Sequence, residues 1–260
     1  MTTKCLNFAR IARRRFYQVK LIMNLNQYFS RRDQQFVFSR EQACDFAKGV
    51  ANDFNAIHDA DSSRFCVPGD LLFSVMLSEL GISQSMQFTF AGMVSDGVAL
   101  NIEQQQESCR LIDDNGKEYL QLKRSGECLK DSAIINNIIQ DYVRFSGQNF
   151  PHILVPMLQE QGLMLNRKRP LVIYESMSLQ FDRLPSSPPH LAYVGGDYIP
   201  NGKRGVALLK FTISENEQVI GSGQKRMVLG SLLPYEKAES DILIDNYNAC
   251  REAFLKRQQK

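Results

Sequence analysis

The first part of the chain contains two helical patterns of different character. Ser39-Arg40-Glu41-Gln42 has the spacing of a capping box, and the apolar positions after it recur at helical intervals, which predicts an amphipathic helix over about 40–52. The stretch 70–80 is apolar on nearly every side and is stopped by Gly81. It predicts a helix buried on most sides, so other elements must cover it.

Alternating apolar and polar positions predict the covering elements. Strands are expected near 86–94, 97–103, 106–112 and 117–124, the last two joined by the turn Asp114-Asn115-Gly116. A second series has the same order: a helix capped by Asp131 or Ser132, a mainly apolar helix over Phe150–Gln161, and strands near 171–183, 190–195, 204–214 and 217–229. Residues 76–81 and 157–162 match at four of six positions. The sequence therefore predicts two copies of one α+β unit.

A curved antiparallel sheet wrapped around one apolar helix is the hot-dog architecture, so the predicted fold is an α+β double hot-dog. The two sheets are expected to join edge to edge, which would cover two exposed strand edges. The predicted units are a basic N-terminal extension (1–32), the N-terminal hot-dog (33–128), a degenerate C-terminal hot-dog (129–234) and a tail helix (235–260), with a linker at about 125–131. An unrelated two-layer α+β domain is the alternative.

Charge is distributed unevenly along the chain. Of the 31 basic side chains, six lie in residues 1–22, where no acidic residue occurs, so the rest of the chain has a net charge of −3. This balance argues against a basic nucleic-acid-binding surface on the folded part. For residues 1–22 the alternatives are a disordered tail, a true start at Met23, or a basic targeting peptide, and the ordinary behaviour of termini favours the first two.

Composition places the chain among soluble globular proteins, with 43% hydrophobic and 23% charged residues. Its six cysteines are scattered without a C-x-x-C pair, which predicts reduced thiols and no metal site. No apolar run approaches 18 residues and no signal-peptide core is evident. We therefore expect a cytoplasmic protein without a membrane span.

One of the three histidines lies in a polar cluster. Asp53 and His58 are five residues apart in a loop that leaves the first predicted helix. If this loop turns back on itself, a carboxylate and an imidazole would point into one pocket and bracket a water that they could activate. The structural alternative is that Asp53 or Asn55 caps a helix end and His58 satisfies a turn carbonyl.

At these residues the sequence resembles the MaoC-like family of (R)-specific enoyl-CoA hydratases, whose signature is Asp-x-Asn-Pro-x-His ahead of a buried hot-dog helix that starts at a glycine. The matching residues are Asp53, Asn55, His58 and Gly69, within the stretch 38–80. Asp-Phe-Asn-x-Ile-His-Asp followed by Arg-Phe-Cys-Val-Pro-Gly-Asp-Leu-Leu-Phe is also similar to a bacterial family of hydratase-like hot-dog proteins without an assigned reaction.

The resemblance implies that Asp53 and His58 would deprotonate a water that adds to the double bond of an enoyl thioester. Gly69 would supply a backbone N–H to the thioester oxygen at the positive end of the helix dipole. Asn55 and Arg64 are further candidates for substrate binding, and no cofactor is implied. The substrate would be an acyl thioester of CoA or of a carrier protein, and the chain would be a pseudo-dimeric monomer or a homodimer.

Several positions depart from the family pattern. Ala56 replaces proline, Pro68 replaces the usual histidine before Gly69, and the connector from His58 to Gly69 is shorter. Asp70 follows the expected oxyanion donor, and a carboxylate facing inward there would repel a developing enolate.

The second half has no Asp-x-Asn-x-x-His motif, so one site per chain is expected. Basic groups such as 167–169, Lys203-Arg204 and Lys225-Arg226 could contact phosphates, but we assign them first to solvated surface. These departures leave two alternatives to a hydratase: a non-catalytic hot-dog that binds an acyl chain or another small ligand, and an acyl thioesterase.

Overall fold

A computed structural model of the protein describes residues 23–258, and the alternatives for residues 1–22 therefore concern a segment outside the described residues. The helices are α1 (Arg40–Asp45), α2 (Gly69–Leu80), α3 (Ser132–Gly147), α4 (Asn149–His152), α5 (Leu154–Glu160) and α6 (Lys237–Gln258). The strands are β1 (Ser30–Arg32), β2 (Gln35–Val37), β3 (Ile82–Phe90), β4 (Ala99–Gln104), β5 (Ser108–Ile112), β6 (Glu118–Leu129), β7 (Leu163–Met164), β8 (Leu171–Phe181), β9 (His190–Asn201), β10 (Arg204–Glu215), β11 (Gln218–Gly230) and β12 (Leu233–Pro234).

Within residues 23–258, ten strands form one antiparallel sheet in the order β1-β2-β4-β5-β6-β3-β8-β11-β10-β9, and β7 pairs with β12. Reading outward from the centre, β3-β6-β5-β4 on one side has the same chain order as β8-β11-β10-β9 on the other. The two halves join where β3 pairs with β8, from Ser85–Gln180 to Thr89–Ser176. The prediction of two copies joined edge to edge, a double hot-dog, is confirmed.

The helices of the first half follow the sequence pattern closely. Ser39 and Gln42 form the predicted capping box at the start of α1, which continues as a π-helical segment, Phe46–Ala51. Nine of the twelve residues of α2 are buried, and the helix ends at Gly81, whose φ of +83° suits glycine. This is the buried helix that the first half of the sheet covers.

The second half differs from the prediction. The helix expected over Phe150–Gln161 is interrupted twice: Phe150 is extended ahead of Pro151, and α4 and α5 are separated at Ile153. The long buried helix of this half is α3, whose Tyr142 packs on Phe73 of α2 and on Phe211 of β10. The match between residues 76–81 and 157–162 therefore relates two helix ends rather than two equivalent buried helices.

The bounds of the linker and of the N-terminal segment also differ from the predicted ones. β6 continues to Leu129, so the linker that was predicted over 125–131 is reduced to Lys130 and Asp131. Residues 25–32, assigned by sequence to the N-terminal extension, form a short 3-10 helix and β1. The predicted tail helix is present as α6. Among the helices of residues 23–258, none has the length and apolar character needed to cross a membrane.

Candidate functional site

The loop after the first helix brings Asp53 and His58 together by two successive side-chain turns. Asn52 leaves the helix in the left-handed region, with a φ of +57°. Asp53 Oδ1 then accepts a hydrogen bond of 2.9 Å from the backbone N–H of Asn55. Asn55 Oδ1 in turn accepts one of 3.2 Å from Ile57 N, which starts the 3-10 helix Ala56–His58. Asx turns of this kind reverse the chain, so His58 lies back beside Asp53.

The imidazole of His58 is held in one tautomer. Its Nδ1 lies 2.7 Å from the carbonyl oxygen of Cys66, and because a carbonyl can only accept, Nδ1 carries the hydrogen. In the neutral ring Nε2 is therefore an acceptor, and it faces Asp53 Oδ2 across 3.8 Å. This distance is too long for a direct hydrogen bond, and both atoms are acceptors. A molecule with two O–H donors, such as water, would satisfy both at once.

The N-terminus of α2 lies under an aromatic pair. Gly69 is the first residue of α2, so its N–H has no partner within the helix. The rings of Phe90 and Tyr174, with centroids 4.1 Å apart, pack against it: a Cβ at Gly69 would lie 3.0 Å from Phe90 Cε1 and 3.1 Å from Tyr174 Cδ1. Tyr174 belongs to β8, so the second half of the chain contributes to this end of the helix.

A buried polar chain adjoins the same end of α2. Asp70 is buried, and its Oδ2 accepts a hydrogen bond of 2.5 Å from Ser146 Oγ on α3. Ser146 Oγ accepts one from Lys225 Nζ on β11, and Lys225 is only 4% exposed. Among the described residues, Asp70 Oδ1 has no hydrogen-bond partner. The chain Asp70–Ser146–Lys225 therefore links the first half of the molecule to the second.

Burial is the largest influence on the pKa values of Asp70 and Lys225. It raises the pKa of Asp70, an effect that Lys225 and the Ser146 hydrogen bond oppose. It lowers the pKa of Lys225, an effect that Asp70 and, to a smaller extent, Asp53 oppose. Asp53 also adds to the upward shift in the pKa of Asp70, and His58 opposes it. The Asp53–His58 pair and the buried chain are therefore close enough to influence each other.

Two tyrosines complete the surroundings of the buried chain. The hydroxyls of Tyr142 and Tyr174 are hydrogen-bonded to each other, and Lys225 Nζ lies 4.0 Å from the centroid of the Tyr174 ring. Burial raises the pKa of both phenols well above the ordinary value, so both are neutral near pH 7. The ring face of Tyr174 thus adds a cation–π contact to the ammonium group of Lys225.

Comparison with known proteins identifies the family. The model of DUF3581, described as a protein of unknown function, matches residues 23–238. The chain belongs to the DUF3581 family. A search of the curated proteins returned no significant match.

Several solved structures are similar to this DUF3581 protein at low identity. A conserved protein of unknown function with a hot dog fold from Alicyclobacillus acidocaldarius shares 8% identity with a TM-score of 0.43, over 83% of this chain and 100% of that one. An acyl-CoA thioesterase II from Mycobacterium marinum shares 9% with a TM-score of 0.41, over 62% and 88%. A MaoC-like dehydratase shares 9% with a TM-score of 0.37, over 81% and 99%. The double hot-dog assignment rests on the strand order of the sheet.

Of the site residues that the sequence predicts for this DUF3581 protein, three lie at the candidate site and two are exposed to solvent. Asp53 and His58 face each other, and Gly69 starts the buried helix. Asn55 is exposed, and its side chain caps the short 3-10 helix, so its observed contact is structural. Arg64 is exposed and lies outside the group of buried side chains.

Other polar residues of this region were missed, or assigned wrongly, from the sequence. Lys225 was assigned to solvated surface, and this assignment is wrong because its side chain is buried. A signal was present, since Lys225 shares the two-residue alternation of Met227 and Leu229, which face inward. Ser146 likewise lies four residues after Tyr142, on the inner face of α3. No group of three or more His, Cys, Asp or Glu residues suited to a metal ion occurs in the described part of the chain.

Proposed function

We propose that this DUF3581 protein is a hot-dog enzyme acting on acyl thioesters, and that its reaction is the hydration of an enoyl thioester or the reverse dehydration. One observation carries the proposal: Asp53 Oδ2 and His58 Nε2 face each other across 3.8 Å, in the loop that leads to the N-terminus of α2. The match of Asp53, Asn55, His58 and Gly69 to the MaoC-like pattern supports the same reaction.

In the proposed reaction, a water donates one hydrogen to His58 Nε2 and the other to Asp53 Oδ2. The pair removes a proton as the water oxygen forms a bond to the β-carbon of the enoyl group. The electron pair of the double bond moves to the α-carbon and the thioester oxygen, which gains negative charge. The same pair then returns the proton to the α-carbon, so that one water is added across the double bond.

The backbone N–H of Gly69 is the proposed donor to the thioester oxygen. The first N–H groups of a helix are unpaired within it and lie at the positive end of its dipole. The sequence raised the concern that Asp70 would repel this developing charge. The hydrogen-bonded chain from Asp70 through Ser146 to Lys225 supports Gly69 as the donor despite this carboxylate, because an ammonium group on Lys225 would offset its charge.

The test is turnover of short and medium trans-2-enoyl-CoA thioesters, followed by the loss of enoyl absorbance. We expect turnover by the wild-type protein and a loss of about 100-fold or more in kcat for both His58→Ala and Asp53→Asn, the usual range for removing an acid/base group. His152→Ala and Asp61→Asn, which change exposed residues of the same types, are matched controls and should keep wild-type rates.

Two results would contradict the proposal. Release of free CoA thiol that depends on Asp53 would identify a thioesterase, because water would then attack the carbonyl carbon. Tight binding of acyl-CoA without turnover of any chain length, on folded protein, would favour the non-catalytic alternative.

A further inference from the structure

The second half of the molecule has no Asp-x-Asn-x-x-His motif, yet it supplies side chains to the region of Asp53 and His58. Lys225 and Tyr174 lie on β11 and β8, and Ser146 lies on α3, all in the second half. Two of them reach the N-terminus of α2 directly: Ser146 contacts Asp70, and the Tyr174 ring packs against Gly69. Lys225 contacts both Ser146 and the Tyr174 ring. The degenerate half is therefore structurally tied to the candidate site of the other half.

The charge of Lys225 has a specific consequence there. Asp70 is buried next to Gly69, where the proposed reaction develops negative charge on the thioester oxygen. A buried carboxylate without a counter-ion would oppose that charge. The same chain of contacts adjoins the Asp53–His58 loop, because Gly147, next to Ser146, packs on its backbone: a Cβ at Gly147 would lie 3.2 Å from Asp53 N. Lys225 supplies the positive charge through Ser146.

We propose that Lys225 is a positioning residue for the Asp53–His58 site, acting through Ser146 and Asp70, so that the second half of the chain completes the site of the first. Its effect on catalysis rests on the proposed function. Its effect on the surroundings of His58 does not, and the two can be measured separately.

The catalytic effect is tested with Lys225→Met, which removes the charge at nearly constant side-chain length. We expect kcat for enoyl-CoA hydration to fall about 10- to 100-fold while KM stays within about twofold, since the charge acts on the reacting end of the substrate. The double variant Asp70→Asn/Lys225→Met removes both charges and should recover most of the lost kcat. Lys210→Met is the matched control, because Lys210 is an exposed lysine on the neighbouring strand β10.

The second measurement does not need turnover. The chain has three histidines, so ring signals of isotope-labelled histidine can be followed by NMR, and His58→Ala assigns the signal of His58. At one fixed pH, the His58 signal should move in Lys225→Met, stay in place in Lys210→Met, and return towards its wild-type position in the double variant. The signals of His152 and His190 should stay unchanged throughout.

The outcomes separate this inference from the proposed function. If the wild-type protein turns over no thioester but the His58 signal follows Lys225 as described, the positioning role stands and the hydratase proposal is wrong. If Lys225→Met is folded, with wild-type kcat and an unmoved His58 signal, the positioning role is wrong and Lys225 only packs. If Lys225→Met fails to fold, the His58 signal is measured in Asp70→Asn and in the double variant instead. A His58 signal that stays unmoved in Asp70→Asn would overturn the inference.

Discussion

Gly147 lies where three elements meet behind Asp53. It is the last residue of α3, and a Cβ at this position would clash with the carbonyl oxygen of Ala51 and come within 3.2 Å of Asp53 N. The hydroxyl of Tyr247, from α6, lies 3.3 Å from Gly147 O and 3.0 Å from Asn52 O. The backbone that carries the Asp53 carboxylate is thus held by close contact with Gly147 as well as by the hydrogen bond that Asp53 Oδ1 accepts from Asn55 N.

Gly147→Ala is therefore expected to affect both stability and the site. The added methyl group must displace the Ala51–Asp53 backbone, and overpacking of this kind costs about 1–3 kcal/mol in the free energy of unfolding. Urea unfolding measures the stability, and the enoyl-CoA assay measures the activity, which should fall because Asp53 moves.

Gly49→Ala is the matched control for this prediction. A Cβ at Gly49 would meet its nearest atom, Phe254 Cζ, only at 4.0 Å, so the substitution should leave stability and activity close to wild type. If Gly147→Ala were as stable and as active as Gly49→Ala, the prediction would be wrong, because the clash at Gly147 would then be relieved without moving Asp53.

At the scale of elements, the loop from β8 to β9 is organised by one carboxylate. Glu215, the last residue of β10, is buried and accepts backbone N–H bonds from Ser186 (2.7 Å) and Ser187 (2.6 Å). Arg183 Nη1 also donates to it, at 2.5 Å. Chiefly because of the Arg183 hydrogen bond, the pKa of Glu215 is lowered from 4.5 to about 2.

This lowered pKa gives the loop a pH-dependent contribution to stability. Because the folded state binds the proton less tightly than the unfolded state, the contribution is complete above the ordinary value of 4.5 and is lost as the pH falls towards about 2. The difference in unfolding free energy between wild type and Glu215→Gln should therefore be largest near pH 7 and shrink below about pH 4.5.

Urea unfolding at steps from about pH 7 to pH 3 checks this expectation. Glu217→Gln, at an exposed position in the next turn, is the control and should show a small difference at every pH. A difference for Glu215→Gln that stays constant with pH would mean that its ionised form is not what holds the loop.

Features that depend on neighbouring residues were predictable from the sequence. The Ser39 capping box, the Gly81 helix end and the Asp114-Asn115-Gly116 turn are each specified within a few residues, and all are present. The burial of Lys225 and the central place of α3 depend instead on which faces meet in three dimensions. The alternation of β11 could have indicated that Lys225 points inward, although the sequence analysis assigned it to the surface. No local signal indicates its partner, Ser146, 79 residues away in the chain.

At the scale of the whole molecule, the boundary between the halves is part of the core. Phe88 of β3 pairs with Met177 of β8 across the junction, and both side chains are fully buried. On the helical side, Phe73 of α2 packs on Tyr142 of α3, with ring centroids 4.8 Å apart. Two units that share one sheet and one core in this way should not unfold independently.

The absence of tryptophan from the sequence allows a direct test of this cooperativity. Tyr28→Trp places a probe in the first half, next to Phe46, and Tyr193→Trp places one in the second half, on the partly exposed ring stacked against Phe145. In urea, the fluorescence transitions of the two variants should share one midpoint, and each should coincide with the loss of circular dichroism of the same variant.

Separate midpoints would contradict this expectation and would show that one half unfolds while the other stays folded. Unfolding of either half alone would also disrupt the site, because the hydrogen-bonded chain from Lys225 through Ser146 to Asp70 exists only while the halves stay together. With a single transition, the local stability of the Asp53–His58 region is coupled to that of the second half. A destabilising substitution far from the site, for example in β10, would then lower the fraction of active molecules without changing the kcat of those that remain folded.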